Sequence, residues 1–195
     1  MDASDDAMPV LWLCGPPGVG KTSAAWELFT RLGGDGARVG YVDIDQLGMC
    51  YAAPTADDGA PEPPADPGRH RLKEANLGAV AANFRAAGAR GLIVSGVVDA
   101  ERGVAAIPGA DVTLVRLRAN ADGLRRRVAE RGRSHDAIDA VLAEADALDR
   151  GGVDATVIDT TVLGIAEVAD AVGARFASWP PPAPAATPPM APPAT

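Results

Sequence analysis

The sequence predicts an α/β domain built on a five-stranded, mainly parallel sheet with helices on both faces, in three layers. Two patterns predict it. Short apolar runs rich in Val, Ile and Leu alternate along the chain with longer segments whose apolar residues recur at helical spacing. Breaks rich in Gly and Pro separate one kind of segment from the other. A length of 195 residues suits one domain with a substantial core, and an aromatic content of 4% means that aliphatic and small side chains fill it.

The elements follow in order. Residues 1–8 read as a loose leader, acidic where a secretory signal would be basic. Residues 10–14 (Val-Leu-Trp-Leu-Cys) form an apolar run of the kind expected for a buried parallel strand. Residues 22–32 place Ala25, Leu28, Phe29 and Leu32 on one helical face, and Gly33-Gly34-Asp35-Gly36 ends that helix. Residues 38–44 are the second strand and lead into Asp43-Ile44-Asp45. On a strand these two acids share a face and project together from its carboxyl end, the edge where open α/β sheets bind ligands.

Residues 52–68, dense in Pro, Ala, Asp and Gly, read as a mobile loop over that edge. Asp66-Pro67 is an N-cap and first-turn pair for a helix to about residue 89, with Leu72, Asn76, Val80 and Phe84 on one face. Arg69, His70, Arg71 and Lys73 crowd its first turn, where the helix dipole disfavours cations, so another group should favour them. Residues 91–98 are the most apolar strand and should be central; residues 111–117 are the fourth. Asn120 caps a helix carrying Arg125, Arg126, Arg127 and Arg131, and Ser134 caps the next, striped by Ile138, Val141, Leu142, Ala145 and Leu148. Residues 155–159 are the fifth strand, and a closing helix spans 165–176. The domain is therefore expected over 9–178. The Pro-rich residues 179–195 are expected to be a disordered tail, open to a protein partner.

The chemistry is concentrated in Gly15-Pro16-Pro17-Gly18-Val19-Gly20-Lys21-Thr22, between the first strand and first helix. It fits G-x-x-x-x-G-K-[ST] in the context that motif requires, which makes the expected architecture a three-layer P-loop nucleoside triphosphate hydrolase fold. Gly15, Gly18, Val19 and Gly20 are expected to cradle a polyphosphate through backbone N–H groups, helped by the positive end of the helix. Lys21 would neutralise charge between the β- and γ-phosphates, Thr22 would ligate Mg²⁺, and Ser23 lies beside them.

Absences narrow the class. The Asn-Lys-x-Asp of GTPases is missing, its nearest stretch being Ala119-Asn120-Ala121-Asp122. The third strand reaches no acid until Asp99, whereas an oligomeric ATPase of the AAA type would end it in Asp-Glu. A transporter signature of the Leu-Ser-Gly-Gly type is absent. With its P-loop near the N-terminus, the Asp-x-Asp of Asp43 and Asp45 and an Arg-rich helix pair after the fourth strand, the chain resembles the small P-loop metabolite kinases over about residues 9–178. That group contains the shikimate, gluconate, adenylylsulfate and nucleoside monophosphate kinases.

The resemblance implies transfer of the γ-phosphate of ATP to a small-molecule acceptor. It makes Asp43 the metal-side acid and Asp45 the acceptor-side acid or base, and places Ser95 and Gly96 against the acceptor. It also turns 131–135 into a lid whose arginines, Arg127, Arg131 and Arg133, reach the phosphates, with Arg131 the catalytic choice, and it sets Asp159 near the adenine. The position of Arg71 beside the acceptor site makes it the choice for an anionic substrate group. The unbroken triple glycine of shikimate kinases is absent, which leaves the acceptor open.

A net charge of −8 argues against general nucleic-acid or anionic-membrane binding. No apolar run reaches spanning length. Cys14 and Cys50 lack metal-ligand spacing and read as thiols of a reducing cytosol, giving a cytoplasmic expectation. The alternative reading is a nucleotide-binding regulatory or accessory ATPase in which Lys21 and Thr22 matter and Asp45 does not.

Overall fold

A computed structural model of the protein describes residues 7–48, 67–96, 107–151, 154–176 and 179–180. Residues 1–6 of the expected leader, 52–66 of the loop and the tail from 181 lie outside the described residues, and the first strand begins at Met8, inside the stretch expected to be a leader. Five strands form one sheet in the order β2-β3-β1-β4-β5: β1 Met8–Cys14, β2 Val39–Asp43, β3 Gly91–Ser95, β4 Ala110–Arg118 and β5 Thr156–Asp159. Every neighbouring pair is parallel, and β1 is central, with Leu11 opposite Ile93 on one side and Thr113 on the other. Six helices complete the described chain: α1 Lys21–Gly34, α2 Ile44–Leu47, α3 Pro67–Ala86, α4 Ala121–Glu130, α5 His135–Arg150 and α6 Ile165–Arg175.

A parallel sheet is buried on both faces, and β1 shows how its sequence meets that demand. Leu11 and Leu13 point into one core with Ala25 and Leu28 of α1, Val128 of α4, Val141 of α5 and Val172 of α6. Val10 and Trp12 point into the other with Leu77 and Ala81 of α3. The three-layer α/β fold is thus the one expected; β3 is completely buried as its apolar run demands, but it lies one place from the centre, which β1 takes instead. The helix caps are also as read: Asn120 accepts from the Gly123 N–H at 2.8 Å and Ser134 from the Ala137 N–H at 3.4 Å.

The end of the second strand differs. Asp43 is the last strand residue and Asp45 lies in the first turn of α2, so the two acids do not share a strand face. The cause is local. The Asp43 carboxylate accepts the Asp45 N–H at 3.0 Å, an N-cap that turns the chain into a helix immediately. The described part of β3 also stops at Ser95, before the expected end at residue 98.

Candidate active site

The carboxyl ends of β1, β2 and β3 carry the site, at the point where the chain order reverses across β1. The 15–20 loop leaves β1 tightly against β4. A Cβ on Gly15, at φ +136°, would lie 2.3 Å from the Leu117 carbonyl oxygen, so only glycine fits. Gly20, left-handed at φ 104°, caps α1, and Lys21 is its first residue. Val19 is buried and packs in the core beneath the loop.

Lys21 is buried, and its ammonium donates to the carbonyl oxygens of Gly15 at 2.7 Å and Pro16 at 3.0 Å. Burial pulls its pKa below the ordinary 10.5, against the raising influence of Asp45, then Glu144, Cys14 and Asp43. Next to it the Thr22 hydroxyl donates to Asp43 Oδ2 at 3.0 Å. A hydroxyl and a carboxylate oxygen side by side are the donors that a hard divalent cation takes, so this pair fits Mg²⁺.

Asp45 is exposed on α2, and its Oδ1 accepts from the Lys73 ammonium at 2.8 Å. Lys73 itself is buried on α3; Asp45 is the group that favours it there. One helical turn further, Asn76 Nδ2 donates to the Leu47 carbonyl at 2.7 Å, so α3 holds both ends of α2. Gly96, at φ +123°, fills the remaining side: an added Cβ would lie 2.3 Å from Ile44 Cγ2 and 3.4 Å from Asp45 Oδ2. Its carbonyl accepts from Trp12 Nε1 at 3.1 Å. Ser95 is buried, with its hydroxyl 3.1 Å from the Tyr41 hydroxyl.

Beside the P-loop and the start of α1, a cavity of about 450 Å³ is bounded by Thr22, Trp26, Tyr41, Asp43, Gln46 and Val80. Trp26 is 53% exposed and stands edge-on to Tyr41, with ring centroids 5.5 Å apart. A second cavity, of about 250 Å³, lies on the other side of the loop. It is lined by Gly18, Gly20, Ser23, Arg127, Arg131 and Ile165 among others.

The arginines divide by role. The Arg127 guanidinium donates to the Thr160 hydroxyl at 3.1 Å, to the Thr160 carbonyl, and at longer range to the carbonyls of Val19 and Leu163. It ties α4 to the turn after β5 and to the P-loop, with Thr160 fully buried at the junction. Arg131 and Arg133 are exposed, Arg131 on the rim of the smaller cavity. Asp159 is exposed; the Thr161 side chain and then the Thr161 N–H, which Oδ1 accepts at 2.8 Å, hold its pKa below the ordinary value, and it is not among the residues lining that cavity. Arg71 is exposed and, two positions from Lys73, does not share its face of α3.

Two residues near the site escape a reading by motif. Lys73 is one. The other is Glu144, half-buried on α5, where burial raises its pKa while Lys21 lowers it and Asp45 raises it further. The Arg116–Asp149 and Arg118–Asp149 ion pairs, at 2.7 and 3.3 Å, fasten the last turns of α5 over the end of β4.

A family model described as an AAA domain matches residues 11–150. No curated protein matches the chain in a sequence search. Among solved structures, the chain is similar to a sugar kinase from Janibacter sp. HTCC2649, at 18% identity and a TM-score of 0.55, over 86% of this chain and 93% of that one. It is likewise similar to a gluconokinase from Sinorhizobium meliloti 1021, at 18% identity and a TM-score of 0.55, over 88% and 94%. These likenesses establish a P-loop kinase-like fold. The lack of an Asp-Glu pair at the end of β3 does not remove the chain from the AAA-domain match.

Proposed function

The chain belongs to the AAA-domain family, and on that premise we propose that it is an ATP-dependent phosphotransferase acting with Mg²⁺ on the hydroxyl of a small-molecule acceptor. One observation carries the reading. Lys21, the Thr22–Asp43 pair and Asp45 stand at the carboxyl edge of the sheet, and the charges of Asp45 and Asp43 both act on Lys21, which supports a site where phosphate and acceptor meet. The names of the sugar kinase and the gluconokinase with the same fold support the reaction class.

The geometry suits phosphoryl transfer, which relies on positioning and charge neutralisation. Gly15, Gly18, Val19, Gly20 and the first turn of α1, including Ser23, receive the polyphosphate. Lys21 exchanges its two carbonyl partners for phosphate oxygens. Thr22 and Asp43 would hold Mg²⁺, which when bound neutralises phosphate charge. Asp45 orients the acceptor hydroxyl, with Ser95 and Gly96 bordering that space. Arg127 fixes the wall of the nucleotide cavity, and Arg131 closes over it from the lid turn; Asp159 shapes the turn behind.

The test is a screen of small alcohols for ATP-dependent mass gain of one phosphate. Transfer that vanishes in Lys21→Ala and Asp45→Asn supports the reading. A flat screen with slow ATP hydrolysis would replace it with an accessory nucleotide-binding ATPase.

A further inference from the structure

The cavity of about 450 Å³ beside the start of α1 has walls whose chemistry changes along its length. Helix α1 starts at the carboxyl edge of the sheet and runs back along it, whereas β2 ends at that edge, so their residues meet in matched steps. At the edge the Thr22 hydroxyl meets the Asp43 carboxylate at 3.0 Å. Trp26 stands one turn along the helix from Thr22, and Tyr41 two places back along the strand from Asp43. Each is about 6 Å further from the edge and shares the face of the residue before it. Their rings meet edge-on, with centroids 5.5 Å apart, and all four residues line the cavity. A polar pair suited to Mg²⁺ is thus followed, one step in, by an aromatic pair.

The aromatic pair is fixed by its neighbours. Phe29, seated on the core, has its ring centroid 5.4 Å from that of Trp26 and 5.8 Å from that of Tyr41. The Tyr41 hydroxyl is 3.1 Å from the Ser95 hydroxyl, which ties the aromatic wall to the end of β3. Trp26 nevertheless stays 53% exposed at the cavity. A rigid ring held in place and left half in water is a surface that a ligand covers with a gain in free energy. Leu47 of α2 and Val80 of α3 add aliphatic wall, and the Gln46 amide can donate or accept there.

We infer that the acceptor is an alcohol carrying a flat, unsaturated ring, with the ring packed on Trp26 and the hydroxyl directed to the Thr22–Asp43 end of the cavity. The inference rests on the phosphotransfer reading and narrows it. A flat ring presents a π-face to the indole and an edge to Tyr41, the offset and edge-to-face arrangements that aromatic rings prefer. A polyol in the same place would set hydroxyls against the ring face of Trp26 and the side chains of Leu47 and Val80, which give them no hydrogen bond. In the transfer step the acceptor oxygen forms a bond to the γ-phosphorus while the bond from that phosphorus to the β–γ bridging oxygen breaks. ADP leaves, and the hydroxyl proton passes to the Asp45 carboxylate.

The test measures radiolabel transfer from γ-labelled ATP to neutral alcohols paired with and without a flat ring: phenylethanediol against glycerol and cytidine against ribitol, with glucose as a saturated ring. Expected is a kcat/KM for each flat-ring member at least roughly tenfold above its partner and above glucose, the size of a stacking contact. Trp26→Ala should close most of that gap by raising KM for the flat-ring alcohols, with KM for ATP unmoved. Trp26→Phe should restore it, and Trp26→Leu, which keeps bulk without a π-face, should not. Equal use within the pairs, or preference for glycerol, ribitol or glucose, overturns the ring assignment and leaves the kinase reading standing. Transfer to none of them, with ATP hydrolysis alone, overturns the kinase reading, and tryptophan fluorescence then decides the cavity. Quenching by phenylethanediol that Trp26→Phe abolishes keeps the ring site; no quenching, or quenching that Trp26→Phe leaves unchanged, removes it.

Discussion

Lys21 combines two conditions that oppose each other: its ammonium is buried, and among the described residues its direct partners are two uncharged carbonyl oxygens. A polyphosphate would relieve that cost. Lys21→Ala should therefore weaken ATP binding roughly a hundredfold or more in calorimetry, the scale of a charge-assisted contact made in a desolvated site. Unchanged affinity would remove the nucleotide assignment. Asp45 behaves differently, since it is exposed and touches neither the P-loop carbonyls nor Thr22. Asp45→Asn should keep ATP affinity within about threefold and lower transfer by roughly 10²–10⁴, the range for loss of a general base. A variant with normal transfer in the acceptor screen would refute the role.

At the scale of elements, the Arg127 side chain makes the polar link from α4 to the P-loop and the turn after β5, beside the apolar packing of Leu124 and Val128. Arg127 joins α4 to Thr160, Leu163 and Val19, so Arg127→Met removes the donor to the Leu163 carbonyl and a charged donor from the Thr160 and Val19 carbonyls, which keep the Leu163 N–H and the Thr160 hydroxyl. Urea unfolding should show a loss of about 2–3 kcal/mol, the usual size for hydrogen bonds to a charged group. A loss below about 0.5 kcal/mol would mean that the turn after β5 holds itself. The contrast with the P-loop shows what the sequence makes legible. The 15–22 loop was readable because its strand, glycines, lysine and helix are contiguous, and the caps at Asn120 and Ser134 because a cap bonds three residues away. A reading of Asp43 as a strand residue alone puts Asp45 on the wrong element, because Asp is also a strong N-cap. The basic first turn of α3 flags Lys73 without naming its partner, and nothing in the sequence marks Glu144. Lys73 meets Asp45 across 28 positions and a helix reversal, and Glu144 reaches the site only because Val141 and Ala145 seat α5 on the core.

For the whole molecule, burial of Lys21 links folding to proton binding. Its folded pKa lies below 10.5, the unfolded value, so between those two values the unfolded chain holds a proton that the folded chain has lost. Stability then rises with pH through that window, because the state that binds more protons is the unfolded one, and levels off above 10.5. Below the depressed value Lys21 is charged in both states, and the folded form carries the full cost of burying it. Lys21→Met removes the titrating group, so subtracting its urea midpoints from those of the native sequence across the alkaline range isolates the slope. Saturating ATP should flatten it, because phosphate oxygens keep the lysine protonated in the folded state. The same binding should shift the midpoint upward by mass action, about 2.7 kcal/mol at a hundredfold excess over Kd. Parallel profiles for the two proteins would mean that Lys21 is not desolvated. A slope that ATP leaves untouched would mean that nucleotide does not reach it.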